Sequence, residues 1–157
     1  MLKSHFAMIV TVILSLVMGI LMGIAVILID HLPFNFMNLY KIWAMTVLDV
    51  LVVSLIIPYK KWSASLTHRL GLKEGTLPCI LVSGIIPSLI FNTVNTLLIS
   101  GAFIFHSAEI PAEAQKQVWL AGALHDWPIM LVISFFAALI SEKIGVTVAE
   151  RIIHQKN

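Results

Sequence analysis

The feature that most constrains this chain is an uncharged run from Phe6 to Ile29, 24 residues long. A helix needs about 20 apolar residues to cross the hydrocarbon core of a bilayer. The hydrophobic region of a cleavable signal peptide is shorter, at roughly 7–15 residues, and is followed by small residues of the A-x-A kind. Asp30, His31 and Pro33 follow here instead. The run therefore reads as a retained membrane-spanning helix. Composition agrees: 59% of the 157 residues are hydrophobic and 11% charged, with a mean hydropathy of +0.99. Soluble domains carry about a quarter charged residues, so the excess apolar surface must face lipid.

Three more spans follow: Ile42–Pro58, Leu77–Phe105 and Val118–Ser141. All are continuously apolar, which predicts helices rather than the alternating pattern of a membrane β-barrel. Short polar loops are expected over residues 30–41 and 106–117. The stretch from Tyr59 to Thr76 is the most polar. Its Trp62, Leu66 and Leu70 recur at helical spacing, as in a helix lying in the headgroup region. After Glu142, Ile144, Val148 and Ile152 form an apolar stripe that continues the last helix out of the membrane.

Eight of the ten lysines and arginines fall before the first span (Lys3), between the second and third (Lys60, Lys61, Arg69, Lys73) and after the fourth (Lys143, Arg151, Lys156). Only Lys41 and Lys116 fall in the other two connections. By the positive-inside rule both termini and the middle connection are expected in the cytoplasm of a multi-pass cell-membrane protein. The small net charge of +2 carries no signature of nucleic-acid binding. The single cysteine, Cys79, excludes an internal disulfide and a cysteine-cluster metal site. No HExxH, phosphate loop, GxSxG or CxxC motif is present, so neither an enzyme, a cofactor nor a bound transition metal is expected.

The two halves, residues 1–76 and 77–157, look alike. Ser15-Leu16-Val17-Met18-Gly19 matches Ser88-Leu89-Ile90-Phe91-Asn92, and each even helix has a tryptophan near its start (Trp43, Trp119) and an aspartate within two turns (Asp49, Asp126). The expected fold is all-α: an integral membrane four-helix bundle of two parallel two-helix repeats, related by an axis along the membrane normal. Met18, Met22, Trp43, Pro58, Lys60 and Lys61 resemble the pattern of the DUF2798 family of bacterial two-helix membrane proteins. That family has no established activity. The resemblance implies a tandem hairpin topology and a bacterial inner-membrane protein, and no chemistry.

Charged residues inside a span cost about 2.5–3.5 kcal/mol on insertion scales, so Asp49 and Asp126 require a reason. At about 1.5 Å per residue they lie roughly 10 and 12 Å from the outer ends of their helices, with Asn92 and Asn95 of the third helix near the same slab. The expected site is Asp49, Asn92, Asn95 and Asp126, binding a small cation or proton. His125 joins as a proton-handling candidate, although neighbouring residues on a helix diverge by about 100°. Helix packing is assigned to the small residues Ser15, Gly19, Gly23, Ser88 and Thr96. Two functions fit: a transporter or channel subunit for a small cation or proton-coupled solute, acting as a homodimer or small homo-oligomer in the lipid bilayer, or an assembly protein whose intramembrane polar residues lock packing. Transport predicts that both aspartates line a cavity; assembly predicts a dry core.

Overall fold

The computed structural model describes residues 2–154. Among these the chain forms five helices and no strand: α1 (Leu2–Ile29), α2 (Phe36–Ile56), α3 (Tyr59–Arg69), α4 (Leu77–Ile104) and α5 (Ala112–His154). Four of them, α1, α2, α4 and α5, are long and apolar enough to cross a membrane. They form a ring in which α1 packs on α2 and α5, and α4 on α5 and α2, each antiparallel to its neighbours. One end of the bundle carries α3 and both termini; the other carries the loops 30–35 and 105–111. Gln155 and Lys156 lie outside the described residues.

The helix ends differ from the sequence reading in instructive ways. α2 starts at Phe36, six residues before Ile42, because the Asn35 side chain caps it by accepting from the Asn38 backbone N–H at 2.8 Å. Asn38 in turn donates to the Pro33 carbonyl at 3.0 Å, tying the loop to the first turn. Lys41 is thus a residue of the helix and not of the loop. α2 ends at Ile56, with Ile57 held extended before Pro58, and the chain restarts as α3. The face of α3 that is buried is Tyr59, Ser63 and Thr67. The Trp62–Leu66–Leu70 stripe lies about 60° round the helix from it and turns outward, with Trp62 50% exposed.

α5 is the largest departure. It begins at Ala112 and runs unbroken through Pro128 to His154, 43 residues or about 65 Å, twice the hydrocarbon core. As expected, it continues as a helix past Glu142, but the buried face there is not the Ile144–Val148–Ile152 stripe. Ser141, Gly145 and Ala149 are buried instead. A side chain at Gly145 would meet the Val10 carbonyl oxygen at 3.1 Å. Backbone cannot yield as a side chain does, so this glycine sets how closely α1 and α5 approach.

The small residues of α1 face α2. A Cβ on Gly19 would meet the Trp43 ring at 2.9 Å, and one on Gly23 the Leu39 side chain at 3.1 Å. Trp43 and Trp119, the tryptophans near the starts of the even spans, tie helices together: the Trp43 indole N–H donates to the Leu16 carbonyl at 3.3 Å, and that of Trp119 to the Leu97 carbonyl at 2.9 Å. Met18, Met22, Ile42, Val50 and Phe91 fill the core between the helices. Ser15 and Ser88 are buried within it, each returning its hydroxyl to its own helix, on Val12 and Gly84. A hydroxyl bonded this way is small and self-satisfied, which suits a tight helix contact.

Candidate functional site

α4 supplies the polar interior. Ser88, Asn92, Asn95, Thr96 and Ile99 are buried on one face, following the three- and four-residue spacing of a helix. Asn92 has a partner at each amide atom. Its Nδ2 donates to the Trp127 carbonyl of α5 at 3.0 Å, and its Oδ1 accepts from Thr96 Oγ1 at 3.4 Å. Trp127 adds a second tie to α4, donating from its indole N–H to Thr93 Oγ1 at 3.0 Å. Asn92 is therefore part of the α4–α5 clasp.

Asn95 is different. It is 1% exposed, and neither its oxygen nor its nitrogen has a hydrogen-bond partner. A buried polar group left unpaired costs about 1–3 kcal/mol. Asn95 lines a cavity of about 20 Å³ whose other polar walls are Asp30, Thr96, Ser100 and Asp126, with Val26, Ile99 and Met130 closing it. That volume holds one water-sized body. Asp126 is 24% exposed at its side chain and touches His125, Oδ1 to Nδ1, at 2.9 Å. The neighbours do meet, although His125 itself points away from the bundle and is 87% exposed. Asp30, just past the end of α1, sits close enough to Asp126 to feel its charge. Burial first, and the Asp126 carboxylate second, raise its pKa, against a lowering by His31.

The cavity unites Asn95 and Asp126 with Asp30, which the sequence presents only as a breaker after an apolar run. It does not include Asp49, Asn92 or His125. Asp49 is 4% exposed on the inward face of α2, between Thr46 and Val50, with its Oδ2 unbonded. The helix starts explain part of this. Asp49 is thirteen residues after Phe36 and Asp126 fourteen after Ala112, each about 20 Å along its helix rather than 10–12 Å. Equal distance along two helices fixes neither rotation nor stagger, and here it does not bring the two carboxylates to one cavity.

Among the described residues no group of three or more His, Cys, Asp or Glu side chains comes together to hold a metal. What the cavity offers is oxygen: two carboxylates, an amide and two hydroxyls. Such a set suits a proton or a hard cation. No family model, no curated protein and no solved structure matches this chain.

Proposed function

We propose that this protein moves a small cation, or a solute coupled to one, across the cell membrane, with Asp126 and Asn95 as polar groups of the path. The observation that carries this reading is Asn95: fully buried, unbonded at both amide atoms, and facing a small cavity shared with two carboxylates. Asn92, one turn away, is instead bonded within the α4–α5 clasp, and the other unbonded buried groups of the core do not share this cavity. A four-helix chain is thin for enclosing a path, so the working unit is a homodimer. Reconstitution into liposomes tests the reading. A cation gradient should drive flux above that of protein-free vesicles, and Asn95→Leu should abolish it. Flux no greater than in empty vesicles for any small cation or proton would reject it.

The assembly reading keeps one specific support. Asp49 and Thr46 are sealed in the core without bonds and outside that cavity, as expected of groups that only mark helix positions. Transport is expected from the sequence to place both aspartates on a cavity, and only Asp126 lines this one, so the transport reading gives up Asp49 and counts it as a packing residue. The proposed orientation places the α3 end in the cytoplasm. Cysteine at Ser65, exposed on α3, should resist a membrane-impermeant reagent in intact cells, and cysteine at Ala112, exposed at the start of α5, should react. Labelling at Ser65 from outside would invert the orientation.

A further inference from the structure

Taking the transport reading as its basis, we propose that the cavity between α1, α4 and α5 is a binding site for one hard cation stripped of its water, of the Na⁺ or Ca²⁺ kind, held by Asp30, Asn95, Thr96, Ser100 and Asp126.

Size comes first. A space of about 20 Å³ admits one small body, so an ion seated against Asn95 has shed its waters on that side. Mg²⁺ gives up its waters reluctantly and is normally bound with several of them, whereas Ca²⁺ is held by protein oxygens directly. The hydroxyls decide the polarity. Thr96 Oγ1 spends its proton on Asn92 Oδ1 at 3.4 Å, and Ser100 Oγ spends its own on the Thr96 carbonyl at 2.6 Å. Both hydroxyl oxygens therefore have only lone pairs left to offer, which suits a cation and not an anion. Asn95 completes the set. With neither amide atom held elsewhere, its carbonyl is free to turn toward the cavity, and a cation there would satisfy the oxygen. Two carboxylates supply the charge that offsets the cost of stripping the ion. No lysine or arginine lines the cavity to compete. Asp30 is exposed and Asn95 sealed, so the ion enters at the loop end and stops at the amide.

The site is built by three helices and is incomplete in any one. Asp30 comes from the end of α1, Asn95, Thr96 and Ser100 from α4, and Asp126 from α5. Occupancy would draw the end of α1 onto the α4–α5 pair, so binding should be visible as stabilisation of the whole bundle.

The test uses the full chain, purified in detergent, with thermal unfolding followed at constant ionic strength in NaCl, KCl, CaCl₂, MgCl₂ and N-methyl-D-glucamine chloride. The expected result is a saturable rise in Tm of several degrees in NaCl or CaCl₂, absent in N-methyl-D-glucamine and weak in MgCl₂. A response to NaCl alone or CaCl₂ alone assigns the ion, and either supports the site. The rise should disappear in Asp30→Asn and Asp126→Asn, both at partly exposed positions where folding is retained, and persist in Asp49→Asn. Equal Tm in all five salts, a response to MgCl₂ alone, or a rise that survives in both Asp30→Asn and Asp126→Asn overturns the proposal. Flux measured on the same preparations separates the two claims. Saturable binding without flux keeps the site and rejects transport. Flux without a cation-specific rise rejects the site and keeps transport.

Discussion

Asp49 and Asp126 are the same residue at the same distance along equivalent-looking helices, and the bundle treats them in opposite ways. Asp49 is buried on the face of α2 that also carries Ile42, Thr46, Val50 and Val53, with a bare carboxylate oxygen. Asp126 keeps a quarter of its side chain exposed, touches a histidine and faces a cavity with a second carboxylate. The difference lies in the neighbours. α2 turns Asp49 inward among apolar side chains. α5 brings Asp126 to the point where α1 stops, and the end of a helix is where polar groups gather. In this bundle an intramembrane carboxylate reaches the cavity where another helix ends beside it.

The contrast depends on α5 lying tightly along α1, and breaking that contact should give the largest effect. Gly145→Leu drives a side chain into the Val10 backbone. Overpacking typically costs 1–3 kcal/mol, and more where the obstacle is backbone. We expect the variant to lose about 3 kcal/mol in thermal or denaturant unfolding. Gly122→Leu is the control. A Cβ there meets nothing within 4 Å, and a change of about 1 kcal/mol in its favour is expected from helix propensity alone. Equal losses at both positions would show that α1 and α5 are not held together at Gly145.

A smaller effect of opposite sign is expected at Asp49. Replacing an unpaired buried carboxylate by a neutral group of the same size removes a desolvation cost. Asp49→Asn should raise stability by about 1–2 kcal/mol, seen as a higher unfolding midpoint. A loss of that size would mean that Asp49 has a partner, and the two carboxylates would no longer be distinct.

Much of this was legible in the sequence, and the failures have physical causes. The four spans follow from apolar length alone, and α3 from the basic stretch after Pro58. The start of α2 was hidden because Lys41 looks like a boundary, whereas the signal that decides it is Asn35 as a cap. The start of α5 was hidden because Glu113 and Lys116 read as loop, whereas its continuation past Glu142 and Lys143 was expected. All four are exposed residues of one helix. Asn95 and Asp126, which share a cavity, stood out in the sequence because polar groups in apolar runs are costly. Asp30 was passed over because a charge after a span needs no explanation. Asp49 was grouped with them because residue counting measures distance along a helix and says nothing of which way a side chain turns.

The smallest expected effect sharpens the burial argument at the other end of the bundle. Tyr59 is 5% exposed on α3, and burial pushes its hydroxyl pKa above the ordinary value of about 10. The fold thus prefers the protonated phenol. Its contribution to stability is complete below the unfolded pKa and is lost as pH rises from about 10 toward the folded value. Tyr59→Phe should be nearly neutral at pH 7, within about 1 kcal/mol, because the hydroxyl makes no hydrogen bond of good geometry and Ser54 is its one nearby polar neighbour. It should also unfold less readily than the parent above pH 10. An unchanged alkaline limb would remove Tyr59 as its cause.

The central claim is that Asp126, and not Asp49, belongs to the path. Cation-driven flux into liposomes containing equal amounts of folded Asp49→Asn and Asp126→Asn protein tests it most directly. Flux near the parental rate for Asp49→Asn, together with a loss of at least tenfold for Asp126→Asn, is the predicted result. Loss in Asp49→Asn with parental flux in Asp126→Asn, or equal rates in the two, would contradict it.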